Sequence, residues 1–482
     1  MATTAAPAPP ALERPLCVDL DGTLVKSDTL VDSLLLLVRT RPLDALKTPL
    51  WALRGKANLK REVTARVTLN VEHLPYNRPL LEYLMAQRGD GRKLYLATGA
   101  DSGLADRIAH HLNIFEGVLS SDGATNNTGS NKLAGFRTRF AGAFDYIGNA
   151  RPDLPLLAAA AAPMLANPNL ALRMGMRARG LKPHTTFTDR SSTLRTFIKA
   201  IRVHQWAKNT LIFLPLLLAH HIQAPVVLAA VFAFLSFSLC ASATYIVNDL
   251  LDLEADRQHP RKRNRPFASG NLSAAAGIAI AASFLAVSLA GAVILLPRAF
   301  LGWLVLYLIT TLAYSLALKR IVILDVVILS ALYTLRMLAG AAATDTFISP
   351  WLAAFAIFIF LSLAMVKRFS ELQNVRSAGA EVSNGRGYLL NDIEQVRSFG
   401  TSSAFASVVV LSVYIGQPDV LSLYHHHLRM WLMPPLLILW ICRVWLLASR
   451  GELDEDPVVF ALTDPMSLLM GVGAAAIALA SL

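Results

Sequence analysis

Cysteine is scarce in this chain of 482 residues, and the three cysteines, Cys17, Cys240 and Cys442, lie far apart. Thiols this few and this widely spaced give neither a disulfide framework nor a cysteine metal cluster, so we interpret them as packing residues. Charged residues are also few, at 16%, whereas hydrophobic residues make up 54%. This composition is too apolar for a soluble enzyme of this size, which excludes a wholly soluble protein.

The apolar residues are unevenly distributed along the chain. Residues 1–190 have the composition of an ordinary soluble domain, whereas residues 210–482 contain repeated apolar segments long enough to cross about 30 Å of hydrocarbon. Nine segments qualify as candidate spans: 209–222, 226–247, 273–296, 300–318, 322–342, 350–366, 399–416, 431–448 and 465–482. We therefore predict a soluble domain, 1–190, followed by an integral membrane domain, 191–482.

The distribution of positive charge predicts the orientation of the membrane domain. With a cytoplasmic N-terminus, fourteen Lys and Arg residues fall in loops on that side, against Arg298 and Arg429 in the opposite loops. The N-terminus has no basic segment followed by an apolar stretch, so we expect no secretory signal. We predict a multi-pass protein of the inner (plasma) membrane with its soluble domain and charged motifs in the cytoplasm. The net charge of +12 then indicates contact with anionic lipid, and no nucleic-acid partner is expected.

The most informative stretch is residues 248–270, NDLLDLEADRQHPRKRNRPFASG, which follows an uncharged apolar run. On a helix, Asp249, Asp252 and Asp256 stand at positions i, i+3 and i+7, so their carboxylates share one face. Together with Asn248 they form a set of hard oxygen ligands that suits Mg²⁺, and Mg²⁺ held in this way usually bridges to substrate phosphates.

A basic run follows these acids, and it includes Lys262 and Arg265. Such cations can neutralise the phosphate charge that a metal ion leaves unbalanced. The alternative is a solvated loop next to the membrane whose charges only fix topology. The combination of spacing, sign and location argues against that alternative.

Other polar residues interrupt the later apolar segments. Tyr314, Lys319 and Asp325 stand at a predicted cytoplasmic helix turn, and Lys367 ends a predicted span. Arg336 lies eleven residues beyond Asp325, about three helical turns away on nearly the same face. Because an intramembrane arginine is costly, it usually binds a ligand or has a partner. The alternative for Arg336 is a buried ion pair that only holds helices together.

In the soluble half, polar residues follow short strand-like segments. Asp19 and Asp21 come at the end of the apolar run 15–20, and Gly22 turns the chain. Further strand-like segments are followed in the same way, with Thr98 after 93–97 and Asn149 after 145–148. Helical segments separate the strands, which predicts an α/β Rossmann-like domain with a parallel sheet. The polar clusters should meet at the carboxyl edge of that sheet, where ligands bind.

These residues resemble the motifs of the haloacid dehalogenase-like phosphohydrolases over nearly all of the first 190 residues. The matching segments are DLDGT, LATGA, GSNKLAGF and GNARPD. The roles that the resemblance implies are nucleophile for Asp19, general acid and base for Asp21, phosphate binding for Thr98 and Lys132, and Mg²⁺ binding for Asp19, Asp21, Asn149 and Asp153. One departure is Asn149, which stands where the family commonly has an acid. The Leu-rich insert at 30–88 resembles the helical cap of the family, and the alternative is a catalytically inactive, structural domain.

The membrane half resembles the UbiA-type membrane transferases. Residues 248–256 match the family motif N-D-x-x-D-x-x-x-D, and the resemblance implies an all-α bundle of about nine transmembrane helices around a Mg²⁺–diphosphate cavity. Many members that use prenyl diphosphates carry two Asp residues in a second motif, where this chain has Lys319 and the single Asp325. With YSLALK, RMLAGAAA and MVKRFSEL, the chain looks like the branch of decaprenylphosphoryl-5-phosphoribose synthases.

The resemblance implies a bifunctional membrane enzyme. Its membrane half would transfer 5-phosphoribose from phosphoribosyl pyrophosphate to a polyprenyl phosphate, and its soluble domain would remove the 5-phosphate of the product. The implied site residues are Asp249, Asp252 and Asp256 for catalysis, the same three with Asp325 for Mg²⁺, and Asn248, Lys262, Arg265, Tyr314, Lys319, Arg336 and Lys367 for substrates.

Two alternatives to this function remain. An aromatic prenyltransferase of quinone biosynthesis would use the same Asp cluster, but the reduced second acidic motif argues against it. A transport or lipid-binding protein with a regulatory head would also carry intramembrane charges. The predicted clustering of the acids at one membrane face disfavours this second alternative.

Overall fold

The computed structural model describes residues 12–121, 128–140, 142–190, 193–220, 222–377, 386–453 and 457–482, apart from the side chain of residue 419. The chain divides into two compact units. The first consists of Met1–Ile201 and Ile246–Ile280, and the second of Arg202–Tyr245 and Ala281–Leu482. The Asp-rich motif therefore belongs to the same unit as the N-terminal α/β domain. Residue 191, where the membrane domain was predicted to begin, lies outside the described residues.

The first unit is built on a six-stranded parallel sheet in the order β3-β2-β1-β4-β5-β6. The strands are β1 (Leu16–Val18), β2 (Leu94–Asp101), β3 (Gly117–Ser121), β4 (Asp145–Gly148), β5 (Pro163–Ala166) and β6 (Thr185–Phe187). This confirms the predicted α/β fold. The strand order reverses between β1 and β4, and ligands bind at such a switch point in open α/β sheets. Asp19 follows β1 directly at this point.

Helices cover both faces of the sheet. In β1, Leu16 and Val18 enter the core that contains α5 and α6, whereas Cys17 enters the core that contains α7, α8 and α9. The helices up to residue 200 are α1 (Thr29–Thr40), α2 (Pro42–Ala45), α3 (Thr48–Leu53), α4 (Lys56–Thr64), α5 (Arg78–Gly89), α6 (Ser102–Leu112), α7 (Ser130–Arg139), α8 (Leu154–Ala159), α9 (Leu170–Ala178) and α10 (Thr193–Ala200).

Helices α1 to α4 form a small helical cap, as the Leu-rich insert predicted. The cap has its own apolar core, in which Leu37, Trp51, Val63 and Val67 are buried. The side chain of Asp28 begins α1 by accepting hydrogen bonds from the backbone N–H groups of Leu30 and Val31. Such N-terminal capping satisfies donors that a helix leaves unpaired.

The rest of the chain is helical and apolar. The remaining helices are α11 (Leu214–Leu218), α12 (Ala224–Leu251), α13 (Leu253–Gln258), α14 (Ala274–Leu295), α15 (Arg298–Leu316), α16 (Leu324–Thr344), α17 (Pro350–Ser377), α18 (Ile393–Ile415), α19 (Pro418–Leu421), α20 (Met433–Ser449), α21 (Pro457–Thr463) and α22 (Pro465–Ser481). Within the described residues, seven helices are long and apolar enough to cross a membrane. The count rises to eight if α21 and α22, which meet at a 75° bend, form one span.

Eight of the nine predicted spans therefore have a counterpart among the described helices when α21 and α22 count as one, and the exception is 209–222. There the structure has a 3-10 helix, Val203–Phe213, followed by the five-residue α11. Pro215 has no backbone N–H to donate, and His220 has a left-handed φ of 56°, so a long helix cannot run through this segment.

The Asp-rich motif begins at the end of α12. The structure interrupts the predicted continuous helix at Asp252, where α12 has ended and α13 has not yet begun. Even so, Asp252 N donates to Asn248 O at 2.9 Å, and Asp256 N donates to Asp252 O at 2.8 Å. Because these i to i+4 bonds persist, the spacing of the acids remains close to helical.

Candidate active sites

Asp19 lies at the centre of the first candidate site, at the carboxyl end of β1. Lys132 Nζ lies 2.7 Å from Asp19 Oδ1, and Thr23 Oγ1 donates to Asp19 Oδ2 at 3.2 Å. The two partners are far apart in sequence, since Lys132 belongs to α7. The structure thus brings Lys132, whose choice rested on the resemblance, into direct contact with the predicted nucleophile.

A hydrogen-bonded relay supports this ion pair from β4. Lys132 Nζ lies 3.1 Å from the Tyr146 hydroxyl, which donates to Asp153 Oδ1 at 2.8 Å. Asp153 Oδ2 in turn accepts from the backbone N–H groups of Asn149 and Ala150 at 3.0 and 3.1 Å. Asp153 therefore fixes the loop after β4, and Tyr146 links that loop to Lys132.

Asn149 lies against the turn that follows Asp21. Gly22 has a φ of +75°, and a Cβ built there would collide with Asn149 Nδ2. Glycine is required on both grounds, because it tolerates left-handed φ and leaves room for the amide. The predicted fourth motif therefore meets the first motif at the switch point of the sheet.

Asp21 and Thr98 occupy the neighbouring positions. Asp21 Oδ1 accepts a hydrogen bond from the Thr29 N–H at 2.8 Å, at the start of α1. Thr98 is buried, and its Oγ1 accepts from the Ala100 N–H at 2.9 Å. Beside Asp21 lies a cavity of about 340 Å³, lined by residues of the cap and of the sheet edge, among them Lys56 and Lys60. Asp21 can therefore meet a ligand that enters this cavity.

Burial makes the two carboxyl groups unusually basic. It raises the pKa of Asp19 to about 6, although Lys132 opposes the shift. Burial also raises the pKa of Asp21 to about 7, and the nearby Asp28 carboxylate adds to the effect. Burial alone lowers the pKa of Lys132, but the Asp19 and Asp153 carboxylates raise it on balance, so the amine stays charged. A carboxyl group that titrates near neutral pH suits general acid–base catalysis.

The residues of this site fit a divalent cation. Asp19 and Asp21 provide hard carboxylate oxygens, and the side-chain amide of Asn149 lies next to the turn that follows Asp21. Their raised pKa values show that the ionised carboxylates cost free energy in this environment without further positive charge. A bound Mg²⁺ would supply that charge. The metal-binding roles of Asp19, Asp21, Asn149 and Asp153 stay predictions.

The second acidic cluster contains Asp249 and Asp256, which share one guanidinium. Arg265 Nη1 lies 3.0 Å from Asp249 Oδ1 and 2.6 Å from Asp256 Oδ2. Both carboxylates are buried, and burial raises the pKa of Asp256 while Arg265 opposes the shift. The guanidinium thus stands between two carboxylates in the position that a cation would take.

The third acid of the motif has a different partner. Asp252 forms an ion pair with Arg39 of α1, and Arg39 Nη1 also donates to Leu251 O at 3.0 Å. Among the described residues, no three His, Cys, Asp or Glu side chains are arranged to hold a metal ion. Mg²⁺ binding by all three aspartates would therefore require Arg265 and Arg39 to release them. Asn248 is half-buried next to Asp249, and Lys262 begins the 3-10 turn Lys262–Asn264.

Further contacts join the same loop to the cap within the first unit. Arg257 Nη2 lies 2.8 Å from Asp32 Oδ2 and 3.1 Å from Ser27 Oγ, and all three side chains are buried. Glu254 Oε1 accepts from the Asn70 N–H at 2.7 Å. The Asp-rich loop and the α/β domain therefore share buried polar contacts.

In the second unit, Asp325 is buried at the start of α16 between two donors. Arg368 Nε lies 2.7 Å from Asp325 Oδ2, and the Tyr388 hydroxyl donates to Asp325 Oδ1 at 2.5 Å. Arg368 also pairs with Glu371. These are the contacts of an anchor between chain segments, and the metal-binding role of Asp325 stays a prediction.

Arg336 lies in α16 among aromatic rings. Its guanidinium carbon is 5.1 to 5.5 Å from the ring centres of Phe237, Tyr307 and Tyr333, and its Nε donates to Asn209 Oδ1 at 2.9 Å. Within the described part of the chain, Arg336 forms no ion pair, so the predicted alternative of a buried ion pair receives no support. Cation–π contacts and amide oxygens stabilise the charge instead.

The other predicted substrate residues are partly buried. Tyr314 accepts a hydrogen bond from Arg386 at 3.5 Å, and Lys319 and Lys367 are half-buried. Sequence reasoning missed Tyr146, Arg39, Arg257 and Tyr388. Tyr146 lies inside the predicted strand 145–148, and nothing in that segment indicates a role for its hydroxyl, whereas the other three depend on contacts between distant segments.

Comparison with known proteins identifies the membrane half. The model of the UbiA prenyltransferase family matches residues 210–471. The chain belongs to the UbiA prenyltransferase family. As expected of this family, it is a multi-pass membrane protein, and the sheet of its first unit lies outside the matched residues.

Relatives of this UbiA-family chain match different shares of it. A protein of Sinorhizobium fredii, "Uncharacterized protein y4nM", is 38% identical over 95% of this chain and 89% of its own length. Nodulation protein NoeC of Azorhizobium caulinodans is 35% identical over 58% of this chain and 91% of its own length. A decaprenyl-phosphate phosphoribosyltransferase of Mycobacterium tuberculosis is 37% identical over 190 residues, which are 38% of this chain and 63% of that protein.

Proposed function

We propose that this UbiA-family chain is a bifunctional enzyme that makes a lipid-linked ribose. In the first reaction, 5-phosphoribose passes from phosphoribosyl pyrophosphate to a polyprenyl phosphate, and pyrophosphate is released. In the second, the phosphatase-like domain hydrolyses the 5-phosphate of the product. The observation that carries the first step is the sharing of Arg265 by two buried acids, Asp249 and Asp256. The 37% identity to a decaprenyl-phosphate phosphoribosyltransferase supports this choice of substrates.

The transfer step breaks one bond at ribose C1 and forms another. The bond from C1 to the pyrophosphate oxygen breaks, and an oxygen of the lipid phosphate bonds to C1. Mg²⁺, when bound at Asp249, Asp252 and Asp256, would offset the negative charge that develops on pyrophosphate. Arg265, released from the two carboxylates, would bind the diphosphate together with Lys262, because guanidinium and ammonium groups pair well with phosphate oxygens.

The hydrolysis step uses the pair of carboxyl groups on the first motif. The Asp19 carboxylate attacks phosphorus while the protonated Asp21 donates its proton to the departing 5-oxygen of ribose. Asp21 then accepts a proton from the water that hydrolyses the phospho-aspartyl bond, which regenerates Asp19. The pKa of about 7 suits Asp21 for both transfers. Lys132, 2.7 Å from Asp19, orients that carboxylate and would bind a phosphate oxygen of the substrate.

The test is to incubate the purified chain in lipid nanodiscs with phosphoribosyl pyrophosphate, Mg²⁺ and polyprenyl phosphate, and to analyse the lipids by mass spectrometry. Wild-type protein should give polyprenylphosphoryl ribose. Asp19→Asn should give a product heavier by one phosphoryl group at an unchanged rate of pyrophosphate release, and Asp249→Asn should give neither product.

Two outcomes would contradict the proposal. Identical products from wild type and Asp19→Asn would remove the phosphatase-like domain from this reaction sequence. Product formation from geranyl or farnesyl diphosphate with hydroxybenzoate or naphthoate, and none from phosphoribosyl pyrophosphate, would establish the aromatic prenyltransferase instead.

A further inference from the structure

The cap exposes four leucines on its two short helices and in the turn between them. Leu43, Leu46, Leu50 and Leu53 are 78%, 75%, 62% and 85% exposed, respectively. Their spacing of three, four and three residues matches the helical repeat, with Leu43 in α2, Leu46 in the turn, and Leu50 and Leu53 in α3. We call these four residues the leucine ridge.

The leucine ridge is not explained by the folding of the cap. The cap buries a separate set of apolar residues, including Leu37 and Trp51, in its own core. Burial of a leucine side chain is stabilising, so four exposed leucines leave favourable free energy unused. Contiguous apolar surface of this kind usually marks a site of interaction.

Basic residues surround the leucine ridge. Arg41, Arg54 and Lys56 are exposed beside it, and Lys47 is exposed and forms a 3.0 Å ion pair with Asp44. The segment therefore carries an excess of positive charge next to its apolar row. Short amphipathic elements with this composition lie in the interface of a bilayer, and each basic residue near an anionic membrane surface strengthens the binding.

We propose that the leucine ridge inserts into the headgroup region of an anionic phospholipid bilayer. Two observations select a bilayer as the binding partner of the ridge. The basic charge of the segment complements anionic lipid. The chain also has long apolar helices that can cross a membrane, so each copy of the protein is next to a bilayer. Insertion would bury the four leucines among acyl chains and place the flanking arginines at the lipid phosphates.

The position of the ridge also indicates which substrate enters the phosphatase-like site, an inference that rests on the proposed function. Helix α4, which follows the ridge after Gly55, contributes Lys56, Leu59 and Lys60 to the cavity beside Asp21. A cavity of about 340 Å³ can hold a sugar phosphate but not a polyprenyl tail. A lipid-linked phosphate monoester would therefore present its head to the cavity while its tail stays in the bilayer that the ridge contacts.

Fluorescence quenching in nanodiscs tests the insertion directly. Cys442 is the exposed native cysteine among the described residues, so Cys442→Ser provides the background. A polarity-sensitive dye is attached at Leu46→Cys, Leu50→Cys or, as the matched control, Met85→Cys, an exposed apolar position of α5 outside the ridge. Phospholipids brominated in the acyl chain should quench the ridge dyes about twofold or more and leave the control dye unchanged.

Other occupants of the ridge give distinct results. Dyes that report a water-like environment at Leu46 and Leu50, or equal quenching at Met85, would overturn the proposal. Apolar but unquenched ridge dyes together with a dimer mass would assign the ridge to a second copy of the chain. Arg41→Gln with Arg54→Gln should weaken the quenching in anionic bilayers and not in zwitterionic ones, since only the charge contribution is removed.

A turnover assay separates this proposal from the proposed function. Leu46→Asp with Leu50→Asp should slow hydrolysis of the lipid-linked phosphate about tenfold, because two charges must leave water for the bilayer interface. Hydrolysis of soluble p-nitrophenyl phosphate should be unchanged. If wild type hydrolyses neither substrate while the ridge dyes are quenched, the phosphatase assignment fails and the insertion stands. If both substrates slow equally, the ridge has no role in substrate delivery.

Discussion

Arg257 and Asp32 form a buried ion pair in which Arg257 Nη2 lies 2.8 Å from Asp32 Oδ2. Arg257 directly follows Asp256 of the Asp-rich motif, and Asp32 belongs to the first turn of α1. The same turn contains Thr29, whose N–H holds Asp21. The pair therefore joins the metal-binding motif proposed for the transferase to the general acid proposed for the phosphatase.

Removal of one partner of this pair should be strongly destabilising. Arg257→Met leaves the Asp32 carboxylate buried without its counter-ion, which costs about 3–5 kcal/mol in comparable sites. Asp32→Leu should cost a similar amount, whereas the double variant should be more stable than either single variant. Thermal unfolding in nanodiscs measures all three, and strictly additive losses would show that the two side chains do not interact.

Asp249→Asn and Asp252→Asn should each reduce phosphoribosyl transfer by at least about a hundredfold, because each removes a carboxylate from the proposed metal site. Asp252 also pairs with Arg39, so its loss could act through structure alone. Arg39→Gln is the matched control, and it should keep most of the activity. If Arg39→Gln lost as much activity as Asp252→Asn, the ion pair rather than the metal would explain both effects.

Arg265→Gln should change the response of the protein to Mg²⁺. Without the guanidinium, Asp249 and Asp256 lose a shared cation, so Mg²⁺ should raise the melting temperature of the variant more than that of wild type. Turnover should fall because the phosphate partner is lost, with the KM for the diphosphate substrate about tenfold higher. An unchanged Mg²⁺ response would indicate that the metal does not bind between these two acids.

Asp21 should make the metal-free protein less stable as the pH rises. Its pKa is about 7 in the folded state, above the ordinary value of 3.8, so the folded state holds the proton more tightly than the unfolded state. This contribution to stability is fully present below about pH 4 and is lost as the pH rises through about 7. In EDTA, the melting temperature of Asp21→Asn should therefore fall less between pH 5 and pH 8 than the melting temperature of wild type. Equal losses would contradict the shifted pKa.

The sequence predicted those parts of the fold that depend on local pattern. Strand β4 has the predicted bounds, Asp145–Gly148, and its end is clear in the sequence because the turn formers Gly148 and Asn149 stop the run. Strand β2 continues to Asp101, four residues past the predicted end, since its pairing with β3 resumes after an irregularity. The failed span at 209–222 shows the limit of hydropathy, which counts apolar residues and ignores what Pro215 does to a helix.

The candidate sites were predictable where one motif contains the chemistry and not where distant segments meet. Asp19 and Asp21 stand in one motif, and the resemblance supplied Lys132 across 113 residues. Arg257 and Asp32 are 225 residues apart, and nothing near either residue indicates the other. The three aspartates of the motif also form two separate ion-pair systems in the structure. Arg265 pairs with Asp249 and Asp256, and Arg39 pairs with Asp252.

The discontinuous first unit has a consequence for biosynthesis. Its last segment, Ile246–Ile280, leaves the ribosome only after most of the hydrophobic helix Ala224–Leu251 has been synthesised. Membrane insertion of the nascent chain can therefore begin before the buried partners Asp32 and Arg257 meet. A polypeptide released at residue 201 would lack Arg257 and expose the carboxylate that it neutralises, so the N-terminal domain should be a poor candidate for expression as an autonomous fragment.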